Sequence, residues 1–210
     1  MERYFAPIFD NTEKQRTYAE QLKRFQLAVK YDFYADATMI VYAMLEDRLR
    51  AWLYYIGALK NRNDTTCKAK QTKNQLRALV ASYKESDIDK TKLTIINISQ
   101  KMDIILSSLQ VHVENMVGYP DDKYLVLLSK KYEKFDLDIV LSKFDQINIW
   151  CKHRNELVHG LLNKNMDDYH AKIRPFVEEG MLLARWLDNA VKQLKSGISV
   201  RKKINLTTDK

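Results

Sequence analysis

The chain is poor in residues that interrupt regular structure, with five glycines and three prolines in 210 residues. That scarcity excludes turn-dense β architectures and leaves long, unbroken elements as the default. Cysteine is nearly missing as well. Cys67 and Cys151 are far apart and form no Cys-x-x-Cys, which argues against a disulfide framework and fits a reducing compartment. Long apolar runs are also lacking: the cleanest, Met39 to Leu45, stops at Glu46, and Met1 to Pro7 holds no signal-peptide core. A cytosolic (cytoplasmic) protein with no membrane segment is expected, and Asn97-Ile98-Ser99 is then an incidental match to a glycosylation pattern.

What is present is a core and a positive charge. Hydrophobic residues make up 46% of the chain, enough for one domain without covalent staples. Lys and Arg outnumber Asp and Glu by 35 to 27, giving a net charge of +8. Such a balance implies either affinity for polyanions such as RNA or a well-solvated surface.

Apolar positions recur at three and four rather than at two, so the fold class is all-α, a helical bundle of one domain. Thr12-x-x-Gln15 resembles a capping box opening a helix to about Tyr31, with Tyr18, Leu22, Phe25 and Val29 on its inner stripe. A central helix is expected from about Asp36 to Lys60, carrying Val41, Leu45, Leu49 (or Arg48), Trp52 and Ile56. Within it Glu46 is either at the edge of the buried face or paired with a cation, because unpaired burial is costly.

Residues 61–74 are polar and basic, including Arg62, Lys68 and Lys70, and read as an exposed loop able to touch phosphate before a helix with Leu76, Leu79, Val80 and Tyr83. After a break at Glu85 to Asp89, a long stripe runs through Ile98, Met102, Ile105, Leu109, Val113 and Met116. Gly118-Tyr119-Pro120 ends it. Helices over about 122–134 and 136–150 follow, then a last one from 165 or 167 to Leu194, in which Pro175 marks a kink or a late start. The domain spans 1–197. Residues 198–210, with Arg201-Lys202-Lys203, form a short basic C-terminal tail.

Chemistry concentrates in one place, Trp150 to Leu162, where Arg154, Asn155 and His159 fall within six positions. On a helix Asn155, His159 and Asn163 share a polar stripe flanked by Leu157 and Val158, the composition of a half-buried cleft wall. Arg154 precedes His159 by five positions, about 140° around an ideal helix. The two converge only if Arg154 sits at a helix entrance or meets a second copy of the stretch. Imidazole can exchange protons near neutral pH, and guanidinium can hold phosphate oxygens while staying charged. One histidine cannot serve as base and acid together, but a symmetric dimer supplies two.

Arg154-Asn155-Glu156-Leu157-Val158-His159-Gly160 resembles the signature of HEPN (higher eukaryotes and prokaryotes nucleotide-binding) domains, in which Arg and a polar residue precede His with four to six residues between. Four intervene here. At this composition Arg-Asn-x-x-x-His arises by chance roughly 0.01 times per chain, against roughly 0.2 for Arg-x4-His. The resemblance implies a helical bundle, a homodimer with the motif at its interface, and in many members metal-independent endoribonuclease activity in toxin-antitoxin, abortive-infection or CRISPR-linked defence. By position it makes Arg154 and His159 the catalytic pair, Asn155 the polar companion, and Glu46 the supporting carboxylate of an earlier helix. An antitoxin or activator protein is the implied partner. Leu161 stands where members paired with a nucleotidyltransferase often carry tyrosine, which argues against control by nucleotide transfer to that position.

Lys152, His153 and Lys164 are further RNA-binding candidates. Cys151, His153 and His159 lack the i, i+4 spacing of helical zinc ligands and a fourth ligand, so neither metal nor cofactor is expected. Two rival readings remain: a catalytically silent HEPN module that binds RNA or nucleotide, and a helical adaptor in which Arg154 and Glu46 form an internal ion pair.

Overall fold

The computed structural model describes residues 11–56, 98–115, 123–160 and 166–197. Among them are six α-helices and no strand: α1 (Asn11–Lys30), α2 (Tyr34–Tyr55), α3 (Ile98–Asn115), α4 (Lys123–Tyr132), α5 (Leu137–Gly160) and α6 (Met166–Lys195). None is long and apolar enough to cross a membrane. The basic stretch with Arg62, Lys68 and Lys70, the expected helix through Tyr83, Lys164 and the 198–210 tail lie outside the described residues.

The central position belongs to α2, which packs against α1, α3, α5 and α6. Its stripe of Val41, Leu45, Leu49, Trp52 and Ile56 is buried as helical periodicity requires. Arg48 is buried too, at 9% exposure, so the position weighed against Leu49 is also interior. Its Nη1 donates to Asp188 of α6 at 2.9 Å and its Nη2 to Asp47 at 2.5 Å. Asp47 also receives Lys14 at 2.5 Å and the Tyr18 hydroxyl at 2.7 Å, both from α1. Burial pushes the Asp47 carboxyl up, but the Arg48 and Lys14 charges more than reverse this and hold it well below the usual carboxylate range. One ionic cluster thus joins three helices.

Thr12 lies inside the first turn of α1, since the helix already includes Asn11, so it is not the expected cap. The far end of α1 closes in a Schellman turn: Phe33 N–H donates to the Ala28 carbonyl at 2.7 Å and Asp32 N–H to Val29 at 3.4 Å. Asp32 adopts φ 59°, a left-handed conformation usually given to glycine, and its carboxylate accepts the Tyr34 hydroxyl at 2.6 Å.

Around Trp52 the core is aromatic, with Phe135 at 5.2 Å and Phe144 at 5.8 Å between ring centroids. Polar atoms there form a satisfied relay. Trp52 Nε1 donates to the Tyr132 hydroxyl at 3.4 Å, Tyr132 and Ser108 share a 2.6 Å bond, and Ser108 donates to the Ile105 carbonyl at 2.6 Å. Burial pushes the Tyr132 phenol up to about 12.

Pro175 stands within α6 and not at its start, which settles against a late beginning of that helix. Just beyond it α5 and α6 approach closely. Trp150 stacks flat on Phe176, at 4.9 Å and 4°, and donates from Nε1 to the Phe176 carbonyl at 2.9 Å. Gly180 makes room for the indole: a Cβ there would lie 2.5 Å from it. At the far end Lys131 donates to the carbonyls of Leu194, at 2.9 Å, and Ser196, closing the C-terminus of α6 with a cation.

Candidate functional site

The Arg-Asn-x-x-x-His stretch is the last third of α5. Asp136 caps that helix, its Oδ1 accepting from the N–H groups of Asp138 at 3.0 Å and Ile139 at 3.2 Å. From there α5 runs unbroken to Gly160, so Arg154 is not at a helix entrance. The helix-entrance condition for Arg154 to meet His159 is therefore not met.

Helical geometry decides where Arg154 points. Val140, Phe144 and Ile147 are buried and Cys151 is half-buried, and continuing that spacing brings Arg154 next onto the same inner face. Its guanidinium carbon lies 3.8 Å from the centroid of the Tyr42 ring of α2. Its Nε is enclosed and has no hydrogen-bond partner.

Glu46, one turn beyond Tyr42 on α2, does not reach Arg154. Its Oε1 instead accepts from Lys101 of α3 at 3.0 Å and from Arg50 at 3.0 Å. The two readings left open for Glu46 combine: it lies at the rim of the buried face and is paired with cations. The Arg154–Glu46 ion pair required by the adaptor reading is not formed. Both charges nonetheless border Tyr42, whose phenol is raised by burial and by Glu46 and lowered by Arg154.

Arg154 differs here from the other enclosed cations. Arg48 pairs with Asp47 and Asp188, and Lys101, with a side chain only 6% exposed, pairs with Glu46. Among the described residues Arg154 has no carboxylate partner. Burial raises the neighbouring Cys151 thiol to about 11, against the opposing Arg154 charge, so it is a packed thiol and not a nucleophile.

The opposite face of α5 is polar and open: Lys152, His153, Asn155 and Glu156 are exposed. Val158 is 48% exposed, while Leu157 packs against the core. Asn155 and Val158 of the expected half-buried cleft wall face solvent, and Asn163 lies outside the described residues. His159 is helical in backbone, and its side chain lies outside the described residues. On an unbroken helix its position falls about 40° from Asn155 and about 140° from Arg154. Asn155 and His159 therefore share a side that Arg154 does not.

Tyr42, Lys101 and Arg50 surround this site but carry no recognisable motif. The spacing Tyr42–Glu46–Arg50, four and four on one helix, was the available signal for two of them; nothing in the chain's linear order brings in Lys101 from α3. Comparison with known proteins finds no matching family model, no similar curated protein and no similar solved structure.

Proposed function

We propose that the chain is a metal-independent endoribonuclease of HEPN type, acting as a homodimer in a toxin-antitoxin or phage-defence setting. The reaction this reading assigns is internal transesterification of RNA. One His159 imidazole accepts the 2′-hydroxyl proton, the 2′-oxygen attacks phosphorus, and a second His159 protonates the departing 5′-oxygen, leaving a 2′,3′-cyclic phosphate and a 5′-hydroxyl. Arg154 holds the non-bridging oxygens as charge gathers on them, and Asn155 orients the phosphate or the imidazole.

The observation that carries this reading is the state of Arg154. It is half-buried, packed on the Tyr42 ring and unneutralised by any carboxylate among the described residues, so its positive charge is left for an anion to meet. Its angular separation from His159 along an unbroken α5 supports a site shared between two copies. The same packing of Arg154 on Tyr42 favours a second reading, a silent module in which the arginine only binds phosphate.

Incubation of RNA with the protein in EDTA separates the two. Cleavage ending in cyclic phosphate, reduced at least about a hundredfold in the Arg154→Ala, His159→Ala double variant, is expected of the enzyme. Cleavage that survives the double substitution rejects the assignment. Binding without cleavage by a dimeric sample selects the silent module.

A further inference from the structure

Among the described residues, the outer face of α1 is covered by no other helix. Helical spacing places Lys23, Leu27, Lys30 and Tyr31 on it with Arg24 alongside, and all five are exposed. At its end the Schellman turn carries Phe33 outward. Tyr31 and Phe33 are 57% and 63% exposed, their ring centroids 6.5 Å apart and their planes 38° from each other. Leu27, one turn earlier, is 54% exposed. Three large apolar side chains thus stand open at one corner of the bundle.

The charges along this face indicate what it binds. Arg16 is matched by Glu20 at 3.0 Å, and Arg24 stands only 3.7 Å from Asp36. Lys23 enters no ion pair among the described residues, and Lys30 lies over the Tyr31 ring at 5.2 Å. Counting Asp36 and Asp32, whose carboxylate accepts the Tyr34 hydroxyl between the rings, the cations Lys23, Arg24 and Lys30 exceed the carboxylates by one, and this small surplus beside two open rings suits an anionic chain carrying flat groups. Duplexes hide their base faces, whereas single strands offer them for stacking. The backbone that carries the rings is fixed beforehand, because the Ala28 and Val29 carbonyls and the Tyr34–Asp32 bond define the turn between them.

We propose that this face binds single-stranded RNA, with Tyr31 and Phe33 stacking on bases and Lys23, Arg24 and Lys30 holding the adjoining phosphates. The inference rests on the ribonuclease reading only for the choice of RNA as the polyanion. It places substrate capture on α1, on residues separate from the Arg154 and His159 pair.

The test is fluorescence anisotropy of a labelled oligouridylate with the full chain carrying His159→Ala, so that no substrate is consumed. Adding Tyr31→Ala and Phe33→Ala should weaken binding at least about tenfold, whereas Tyr31→Trp with Phe33→Trp should retain it. Lys23→Gln with Lys30→Gln should lower the slope of log affinity against log salt by about 1.4. A blunt RNA duplex of equal length should bind at least about tenfold more weakly. Unchanged oligouridylate affinity in the double alanine variant, with helicity and Tm retained, overturns the proposal. So does loss of self-association in that variant at unaltered RNA affinity, which would make the corner a protein contact. Tyr31- and Phe33-dependent binding by protein that never cleaves RNA would retire the ribonuclease reading and leave this surface standing. Cleavage with wild-type affinity in the double alanine variant, its His159 restored, would do the reverse.

Discussion

Arg154 rests on the ring of Tyr42, 3.8 Å from its centroid, with an enclosed Nε that bonds to nothing. An unsatisfied buried donor costs about 1–3 kcal/mol, and a partly desolvated cation over an aromatic face returns about 0.5–2. The arginine is thus close to neutral for stability. Arg154→Met, which keeps the packed stem and removes the orphan donor, should leave unfolding free energy within about 1 kcal/mol of wild type in urea titration while eliminating RNA cleavage. A loss of several kcal/mol would assign Arg154 to the scaffold.

The Gly180 contact makes a prediction against helix propensity. Alanine is favoured over glycine in a helix interior by about 1 kcal/mol, yet its Cβ would press 2.5 Å from an indole anchored to the Phe176 carbonyl. Displacing Trp150 costs about 1–3 kcal/mol by overpacking. Gly180→Ala should therefore lower Tm, and the additional change Trp150→Leu should reduce the penalty of the alanine in a double-mutant cycle.

The ionic cluster at Arg48 should be costly to break. Asp188→Asn removes one carboxylate from Arg48, a residue only 9% exposed, and a loss of about 2–4 kcal/mol is expected from urea unfolding. Because the folded Asp47 carboxyl titrates below its unfolded value near 4, the stability it contributes is complete above that value. It is lost as pH falls further toward the folded value. Chemical unfolding between pH 5 and pH 2 should show this decline, reduced in Asp47→Asn.

Cys151 should be slow to alkylate. Its thiol, pushed up to about 11 by burial, holds about a hundredfold less thiolate at neutral pH than a thiol at 9. In a Cys67→Ser background, iodoacetamide labelling of the native protein at pH 7.5 should lag far behind labelling in urea. Fast native labelling would show that the α5 end opens.

How legible this fold was depends on the element. Val41, Leu45, Leu49, Trp52 and Ile56 are interior as their spacing requires, because periodicity reports a helix's own buried face. Arg48 defeats that logic: a charge among apolar neighbours is interior only because Asp188, 140 residues later, meets it. The focal stretch was found by residue type and spacing, and its place on an unbroken helix follows from the apolar stripe leading into it. What could not be read was the company it keeps. Tyr42 and Lys101 reach the site by packing of α2 and α3, which no local pattern encodes. The Tyr31–Phe33 corner was missed for a different reason, since open aromatics break the expectation that such residues are interior.

The long-range pairing of α2 with α6 has a kinetic consequence. The helix that contacts four others cannot complete its burial until the chain has been made as far as Asp188 and beyond, since Arg48 waits 140 residues for its partner. Closing so long a loop precedes the contacts that reward it, which makes folding slower than in bundles of sequential neighbours. During synthesis the part of α2 that α6 covers stays open while α3, α4 and α5 emerge. That uncovered strip is the surface by which an incomplete chain would associate with others.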